Sequence, residues 1–292
     1  MSASAHATPA PFVVGVARSG TTLVRFMLDC HPQLAIPAET HFIPSLIQDS
    51  PIAPALQRDE FIRRVTSSFT WSDFRLSDEN FRRALASVEP FTVADGLRVF
   101  YRQCAESQGK QRWGDKTPTY AEHIAAIARL LPEAHFVHVI RDGRAVAASR
   151  RHLAFGPGPD IAAQARDWRR KVEATRRQSA ACPHYTEVRY EDLLARPEAV
   201  LRTICFDLEL EYDATMLDFT RAAETRLDEF QDWRLPTGAM FLTGDYRREI
   251  HQRARGPLDS SRVDHWRTAL LPGEVSAFQA EAGDLLAELG YA

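Results

Sequence analysis

The chain has 292 residues, 45% of them hydrophobic and 26% charged, the composition of a soluble globular protein long enough to bury one large core. A formal charge of −3 makes no overall electrostatic case for nucleic acid, so any basic site has to be local. No apolar run approaches the roughly 18 residues of a membrane span, and the four cysteines (Cys30, Cys104, Cys182, Cys205) are scattered without a CxxC pair, which argues against a zinc site or disulfide framework and for a reducing cytoplasm.

The opening "MSASAHATPAP" lacks the basic start and apolar middle of a secretory signal, and residues 1–10 read as a short disordered lead-in. "PFVVGVA" (11–17) is a β-branched apolar run ending in glycine-rich sequence, which predicts a buried parallel strand. "TTLVRFMLDCHP" (21–32) then carries Leu23, Phe26, Met27 and Cys30 at helical spacing and stops at Pro32. Between 44 and 110 the amphipathic patterns "LQRDEFIRRVTSSF" and "DENFRRALASV" predict a helical insertion. A helix is expected over 117–132, a second buried strand at "AHFVHVIRD" (134–142), and a helix through "GRAVAASRR". "GPGPD" (156–160) is a breaker cluster and reads as a mobile loop. A third strand is expected at 185–190, a helix at 197–208, a loop-rich stretch beyond 210, and a last amphipathic helix, "PGEVSAFQAEAGDLLAELG". Strands alternating with helices predict an α/β fold: a P-loop-like parallel sheet flanked by helices, as one domain over 11–292 with the insertion at about 44–110.

The segment most informative about chemistry is "GVARSGTT". Gly15, four residues, Gly20 and Thr21-Thr22 follow the spacing of a phosphate loop, except that Thr21 stands where an ATP-using loop has lysine. That lysine reaches the β- and γ-phosphates, so its replacement removes the group that stabilises γ-phosphoryl transfer. The backbone N–H groups of Ser19, Gly20, Thr21 and Thr22 can still cradle a phosphate at a helix N-terminus, with Arg18 and two threonine hydroxyls as further donors. Such a loop suits a nucleotide with one 5′-phosphate group and no metal-bridged triphosphate.

"VARSGTTLVRFMLDCHP" resembles the 5′-phosphosulfate loop of sulfotransferases that use 3′-phosphoadenosine 5′-phosphosulfate (PAPS), and "VIRDGRAVAAS" (139–149) is similar to their 3′-phosphate site. The resemblance is nearest to the tyrosylprotein sulfotransferase branch and its bacterial relatives, and it continues through "AETHFIP", "GDKTP", "VRYEDLLARP" and "VDHWRTALLPGE". It implies in-line transfer of a sulfonate from PAPS to an acceptor oxygen or nitrogen, with adenosine 3′,5′-bisphosphate as product. It further implies that Arg18 and Lys116 are the cations of the transfer and that Glu39 is the base. His41 competes for that role and stands where the tyrosylprotein branch has arginine, so the assignment is open between Glu39, His41 or both. Arg141 and Ser149 match the two 3′-phosphate residues. The family's next basic contact falls on Leu153, for which Arg150 or Arg151 could stand in. Tyr190 matches a nucleotide-contacting tyrosine, although a core tyrosine capping a strand reads nearly as well. The loop "IHQRARGPLD" lies where the family closes over the nucleotide, with Arg253 and Arg255 as candidates, and His265 replaces the family's lysine before Trp266.

Two rival readings are a P-loop-type small-molecule kinase, against which Thr21 speaks, and a non-catalytic nucleotide-binding scaffold. The expected acceptor is a small molecule, a lipid or a cell-envelope precursor, and a tyrosine peptide remains open. A metal-free cytoplasmic enzyme without nucleic-acid partner or transmembrane segment is expected, and the resemblance suggests a homodimer.

Overall fold

The computed structural model describes residues 8–47, 57–235 and 237–291, so residues 1–7 of the expected lead-in and 48–56 of the expected insertion lie outside the described residues, as does the side chain of Arg253. The strand β1 (Ala10–Gly15) takes up the first apolar run, and all six of its residues are buried. It therefore begins inside what reads as the end of the lead-in. The chain turns through residues 16–20 into α1 (Thr21–Asp29), which buries Val24, Phe26, Met27 and Leu28 and ends short of Pro32. Among the described residues, β2 (Leu34–Ala35) is followed by the α-helices α2 (Ile43–Ile47), α3 (Arg58–Thr66), α4 (Asp78–Ala86) and α5 (Val93–Glu106). The hydroxyls of Ser77 and Thr92 cap α4 and α5 by accepting from the N–H groups of Asn80 and Asp95. Acidic Asp59 and Glu60 open α3 and basic Arg63 and Arg64 close it, matching the helix dipole. Phe61, Val65, Phe81, Leu85, Leu97 and Phe100 form their shared interior, and each such fully buried side chain stabilises the fold by about 1.5–3 kcal/mol relative to exposure.

Two short strands follow, β3 (Arg112–Trp113), parallel to β2, and β4 (Asp115–Lys116). The single helix expected over 117–132 is instead a 3-10 turn, Pro118–Glu122, and a separate helix α6 (Ile124–Leu130), with His123 at a non-helical φ of −133° between them. The break has a cause: the hydroxyls of Thr117 and Tyr120 are both committed to a buried network around Thr40. Next come β5 (Ala134–Ile140), α7 (Gly143–Arg150) and α8 (Ile161–Ser179). The last of these is a 19-residue helix that the composition conceals, and Asp160 of the breaker cluster caps it by accepting from the N–H groups of Ala162 and Ala163.

The rest of the chain forms β6 (Tyr185–Arg189), α9 (Tyr190–Ala195), α10 (Pro197–Asp207), α11 (Phe219–Leu227), β7 (Trp233–Arg234), β8 (Met240–Leu242), α12 (Gly244–His251), α13 (Trp266–Ala269) and α14 (Pro272–Glu288). The central sheet is wholly parallel in the order β4-β1-β5-β6. One core cluster joins β1 and β5 to α1, the helices of 58–106, α10 and α11. A second packs α7, α8 and α14 around Trp168 and Phe278. After β1 the chain adds β4 on one side and β5 and β6 on the other, so the order reverses beside β1. In open α/β sheets the crevice at the carboxyl ends of strands next to such a reversal is where ligands bind.

Candidate active site

All four strands of the sheet deliver candidate residues to that edge: β1 runs into the phosphate loop, β4 ends on Lys116, β5 is followed by Arg141, and β6 by Tyr190. The phosphate loop, Arg141 and Tyr190 line one cleft of about 1430 Å³, and Lys116 lies buried behind its wall, against Thr22 and Glu39.

The loop turns because two glycines stand where other residues would not fit. At Gly15, φ is +151° and a Cβ would meet the Val139 carbonyl oxygen at 2.5 Å. At Gly20, φ is +99° and a Cβ would strike the Tyr190 ring at 2.3 Å. Tyr190 therefore lies against the loop, and the Arg141 guanidinium sits over its ring, 4.5 Å from the ring centroid. Arg141 donates to the carbonyls of Arg18 (3.2 Å) and Arg262 (3.1 Å). Ser19 is buried, and its hydroxyl has no hydrogen-bond partner among the described residues; the same holds for Arg141 Nε.

Arg18, itself at φ +75°, donates from Nε to Ser149 Oγ at 3.2 Å and from Nη1 to the Ile250 carbonyl at 2.8 Å. The two stretches that resemble separate phosphate sites thus meet in one hydrogen bond. Of the stand-ins for Leu153, Arg151 reaches the cleft wall but pairs with Glu274, while Arg150 is buried against Asp167 at 2.8 Å. Arg255 lies 3.9 Å from Asp228, and Arg267 pairs with Asp264 at 2.8 Å. His265 and Trp266 line the cleft.

Lys116 is fully buried and its ammonium is hydrogen-bonded to Glu39 Oε1 and, at 3.3 Å, to Thr22 Oγ1. Glu39 Oε2 lies 2.8 Å from His41 Nε2, and His41 Nδ1 lies 3.4 Å from Thr119 Oγ1. Burial opposes the charge on Glu39, but Lys116 and the His41 hydrogen bond prevail and hold its carboxyl well below the usual range. Burial lowers the Lys116 ammonium, partly offset by Glu39. Arg18, Glu39, His41, Gly20, Thr21, Thr22, Arg141, Ser149 and Tyr190 are therefore gathered into one cleft, with the buried Lys116 behind Thr22 and Glu39.

The structure brings further residues to the site, among them His251 from within the loop "IHQRARGPLD". His251, at the end of α12, sits 3.4 Å from Thr22 Oγ1, and burial together with Lys116 and Arg18 holds its imidazole well below its usual range. Beyond His41 stands an aromatic wall: Phe69 and Trp233 lie 5.7 and 5.3 Å from its ring, and Phe241 stacks on Trp233 at 6.4 Å. Trp233 is held by Asp73, which accepts from its indole N–H at 2.9 Å and pairs with Arg247 at 2.6 Å.

Comparison with known proteins identifies the family. A family model described as "Sulfotransferase family" matches residues 9–214. Over 218 residues the chain is 28% identical to Protein-tyrosine sulfotransferase 1 of Danio rerio, covering 72% of this chain and 55% of that protein. Over 290 residues it is 25% identical to Protein-tyrosine sulfotransferase of Drosophila melanogaster, covering 97% of this chain and 52% of the relative. The chain spans about half the length of these curated relatives. Two solved structures share the fold: the sulfotransferase domain from the Synechococcus PCC 7002 olefin synthase (TM-score 0.55, 24% identity, 94% of each chain), and the sulfotransferase domain from the curacin biosynthetic pathway (TM-score 0.57, 19% identity, 96% of this chain and 98% of that one). The phosphate loop without its lysine, the strand-end residues around it and the match across most of the chain lead to one conclusion: the chain belongs to the sulfotransferase family.

Proposed function

We propose that this protein transfers a sulfonate group from PAPS to a hydroxyl or amine of an acceptor and releases adenosine 3′,5′-bisphosphate. One observation carries the reading. The loop has Thr21 at the lysine position, and a lysine arrives instead from β4, beside both Thr22 and a carboxylate.

The residues present fit the donor. The Ser19 hydroxyl and Arg141 Nε are buried polar atoms without a protein partner among the described residues, and such atoms cost free energy until a ligand satisfies them. Arg141 meets carbonyls and an aromatic ring, and no carboxylate is among these partners, so its charge is available to a phosphate. Ser19 to Thr22 hold the 5′ side, while Arg141 and Ser149 hold the 3′-phosphate and Tyr190 the nucleotide.

In the transfer the acceptor oxygen bonds to sulfur as the bond from sulfur to the 5′-phosphate oxygen breaks. The electron pair of that bond leaves with the bisphosphate, and the acceptor proton passes to Glu39. Positive charge already in place where the leaving group becomes more anionic lowers the barrier. Arg18 and Lys116 supply it. Glu39 is held ionised by Lys116, so it acts as a base through alignment rather than through a raised pKa. His41, hydrogen-bonded to its other oxygen, shares the proton.

The acceptor is a small molecule or lipid whose hydroxyl reaches Glu39 past Phe69, Trp233 and Phe241. A tyrosine phenol is the second reading, favoured by the names of the relatives. Metal-free turnover, a cytoplasmic setting and a homodimer belong to the same proposal; the four free cysteines fit a reducing compartment. Among the described residues no helix is long and apolar enough to cross a membrane. The test is mass spectrometry after incubation with PAPS in EDTA, offering a naphthol, a hydroxylated lipid and a tyrosine peptide. A sulfonated product supports the proposal, and unchanged acceptors with intact PAPS overturn it.

A further inference from the structure

Glu39 and His41 are two residues apart, and their side chains meet because the backbone between them is bent. His41 has φ +54°, a conformation that non-glycine residues rarely take, and the Phe42 N–H donates to the Thr40 carbonyl at 2.7 Å, closing a three-residue turn around it. A turn of this kind persists only where its surroundings over-determine it, and such outliers gather at functional sites.

What over-determines it is Thr40. The residue is fully buried, and each of its polar groups is engaged. Its N–H donates to Thr117 Oγ1 at 3.0 Å, and its carbonyl also accepts from Thr70 Oγ1 at 2.8 Å. Its hydroxyl donates to Asp115 Oδ2 at 2.8 Å. Since that proton is committed, the 2.7 Å contact to Tyr120 has Tyr120 O–H as donor, and Tyr120 in turn accepts from the Ile43 N–H at 3.1 Å. Tyr101 O–H donates to the same Asp115 oxygen at 2.9 Å. Asp115 and Lys116 are the two residues of β4, and neighbours on a strand point to opposite faces. One reaches Thr40 beneath the turn; the other reaches the Glu39 carboxylate.

We propose that Thr40, anchored by Asp115, is the positioning residue that holds Glu39 and His41 as one proton-accepting unit. The two-residue strand β4 then serves the base twice, through charge from Lys116 and through geometry from Asp115. Thr40 touches neither donor nor acceptor, and its effect runs entirely through its two neighbours. This inference rests on the sulfonate-transfer reading above.

The experiment compares Thr40→Val, which keeps the shape and loses the hydroxyl, with Thr40→Ser, which restores it, and with Asp115→Asn. Thr40→Val is expected to lower kcat about tenfold or more while KM for PAPS and Kd for adenosine 3′,5′-bisphosphate stay within about twofold, a split that marks loss of an interaction used in the transition state. Thr40→Ser recovers most of the rate, and Asp115→Asn shares the loss. Wild-type kcat in Thr40→Val, or a fall matched by equal loss of bisphosphate binding, would overturn the proposal. Should Thr40→Val not fold, Thr40→Ser and Asp115→Asn decide between the same outcomes by the same split. A readout independent of turnover separates this inference from the functional reading: the Glu39 carboxyl titration followed by NMR. The groups facing Glu39 are Lys116 from β4, His41 from its own turn and His251 from α12. Release of His41 in Thr40→Val moves the Glu39 midpoint upward, and an unmoved midpoint contradicts the proposal whether or not sulfonate is transferred.

Discussion

The Lys116 ammonium lies 3.3 Å from the Thr22 hydroxyl, although the two residues are 94 positions apart. The cation absent from the loop at Thr21 is thus supplied from the neighbouring strand. In the proposed transfer a lysine held there, and simultaneously against Glu39, would face the bond that breaks rather than the γ-phosphate of a triphosphate.

Lys116→Ala is therefore expected to lower kcat about 100-fold or more, the scale found for removing one preorganised charge-stabilising donor. It also leaves the Glu39 carboxylate buried without its cation, so burial is no longer overcome and the Glu39 midpoint rises. With Glu39 as the ionised base proposed above, the acid limb of the kcat–pH profile shifts to higher pH. Steady-state kinetics across pH check both effects.

Glu39→Ala should abolish turnover with bisphosphate affinity nearly unchanged, since the carboxylate hydrogen-bonds Lys116 and His41 rather than the loop N–H groups, and the proposed transfer assigns it to the acceptor proton. His41→Ala should slow the reaction less. An active Glu39→Ala together with a dead His41→Ala would move the base to His41.

Arg141→Ala should weaken adenosine 3′,5′-bisphosphate binding about tenfold or more, the loss of a charge-assisted fork, while thermal stability changes little. Its guanidinium hydrogen bonds run to carbonyls alone among the described residues. Calorimetry and a melting curve on the same variant check this.

Asp73→Ala is expected to destabilise the protein by about 3–5 kcal/mol, because it leaves the buried Arg247 without its carboxylate. It also frees the Trp233 indole N–H. Urea unfolding reads the first effect, and a raised acceptor KM the second, since Trp233 backs the wall beside His41.

His138 gives a pH signature. Burial, only partly offset by Glu187, lowers its imidazole from 6.5 to about 4. Between those values the unfolded chain binds a proton that the folded one refuses, so this group's contribution falls as pH falls, by about 3 kcal/mol across the window. His138→Gln, which keeps a hydrogen-bonding side chain for Tyr185, should flatten the difference in urea midpoint between pH 7 and pH 4.5 relative to the wild type.

The legible parts of this fold are those where local sequence and tertiary role coincide. β1 is an apolar run and β5 is apolar apart from His135 and His138, because both faces are covered, and Gly15 and Gly20 stand where a positive φ and a close neighbour both require glycine. α8 was hidden because its buried stripe (Ile161, Ala165, Trp168, Val172) is diluted by arginines that pair outward with Asp284, Glu122 and Glu187. β4 is two residues long and carries no strand pattern, so the strand that brings Lys116 to the loop leaves no periodic signal. His251 and the Phe69–Trp233–Phe241 wall come from segments separated by more than 160 positions and meet only through tertiary packing around Asp73 and Arg247. No motif announces such a meeting.

The most direct measurement is calorimetric titration with adenosine 3′,5′-bisphosphate, ADP and ATP, each in EDTA. The account predicts tight, metal-free binding of the bisphosphate, lost in Arg141→Ala, with ADP and ATP weak. Preference for ATP, or no binding of the bisphosphate, would contradict the claim that this loop holds a 5′-phosphosulfate with its lysine supplied by β4.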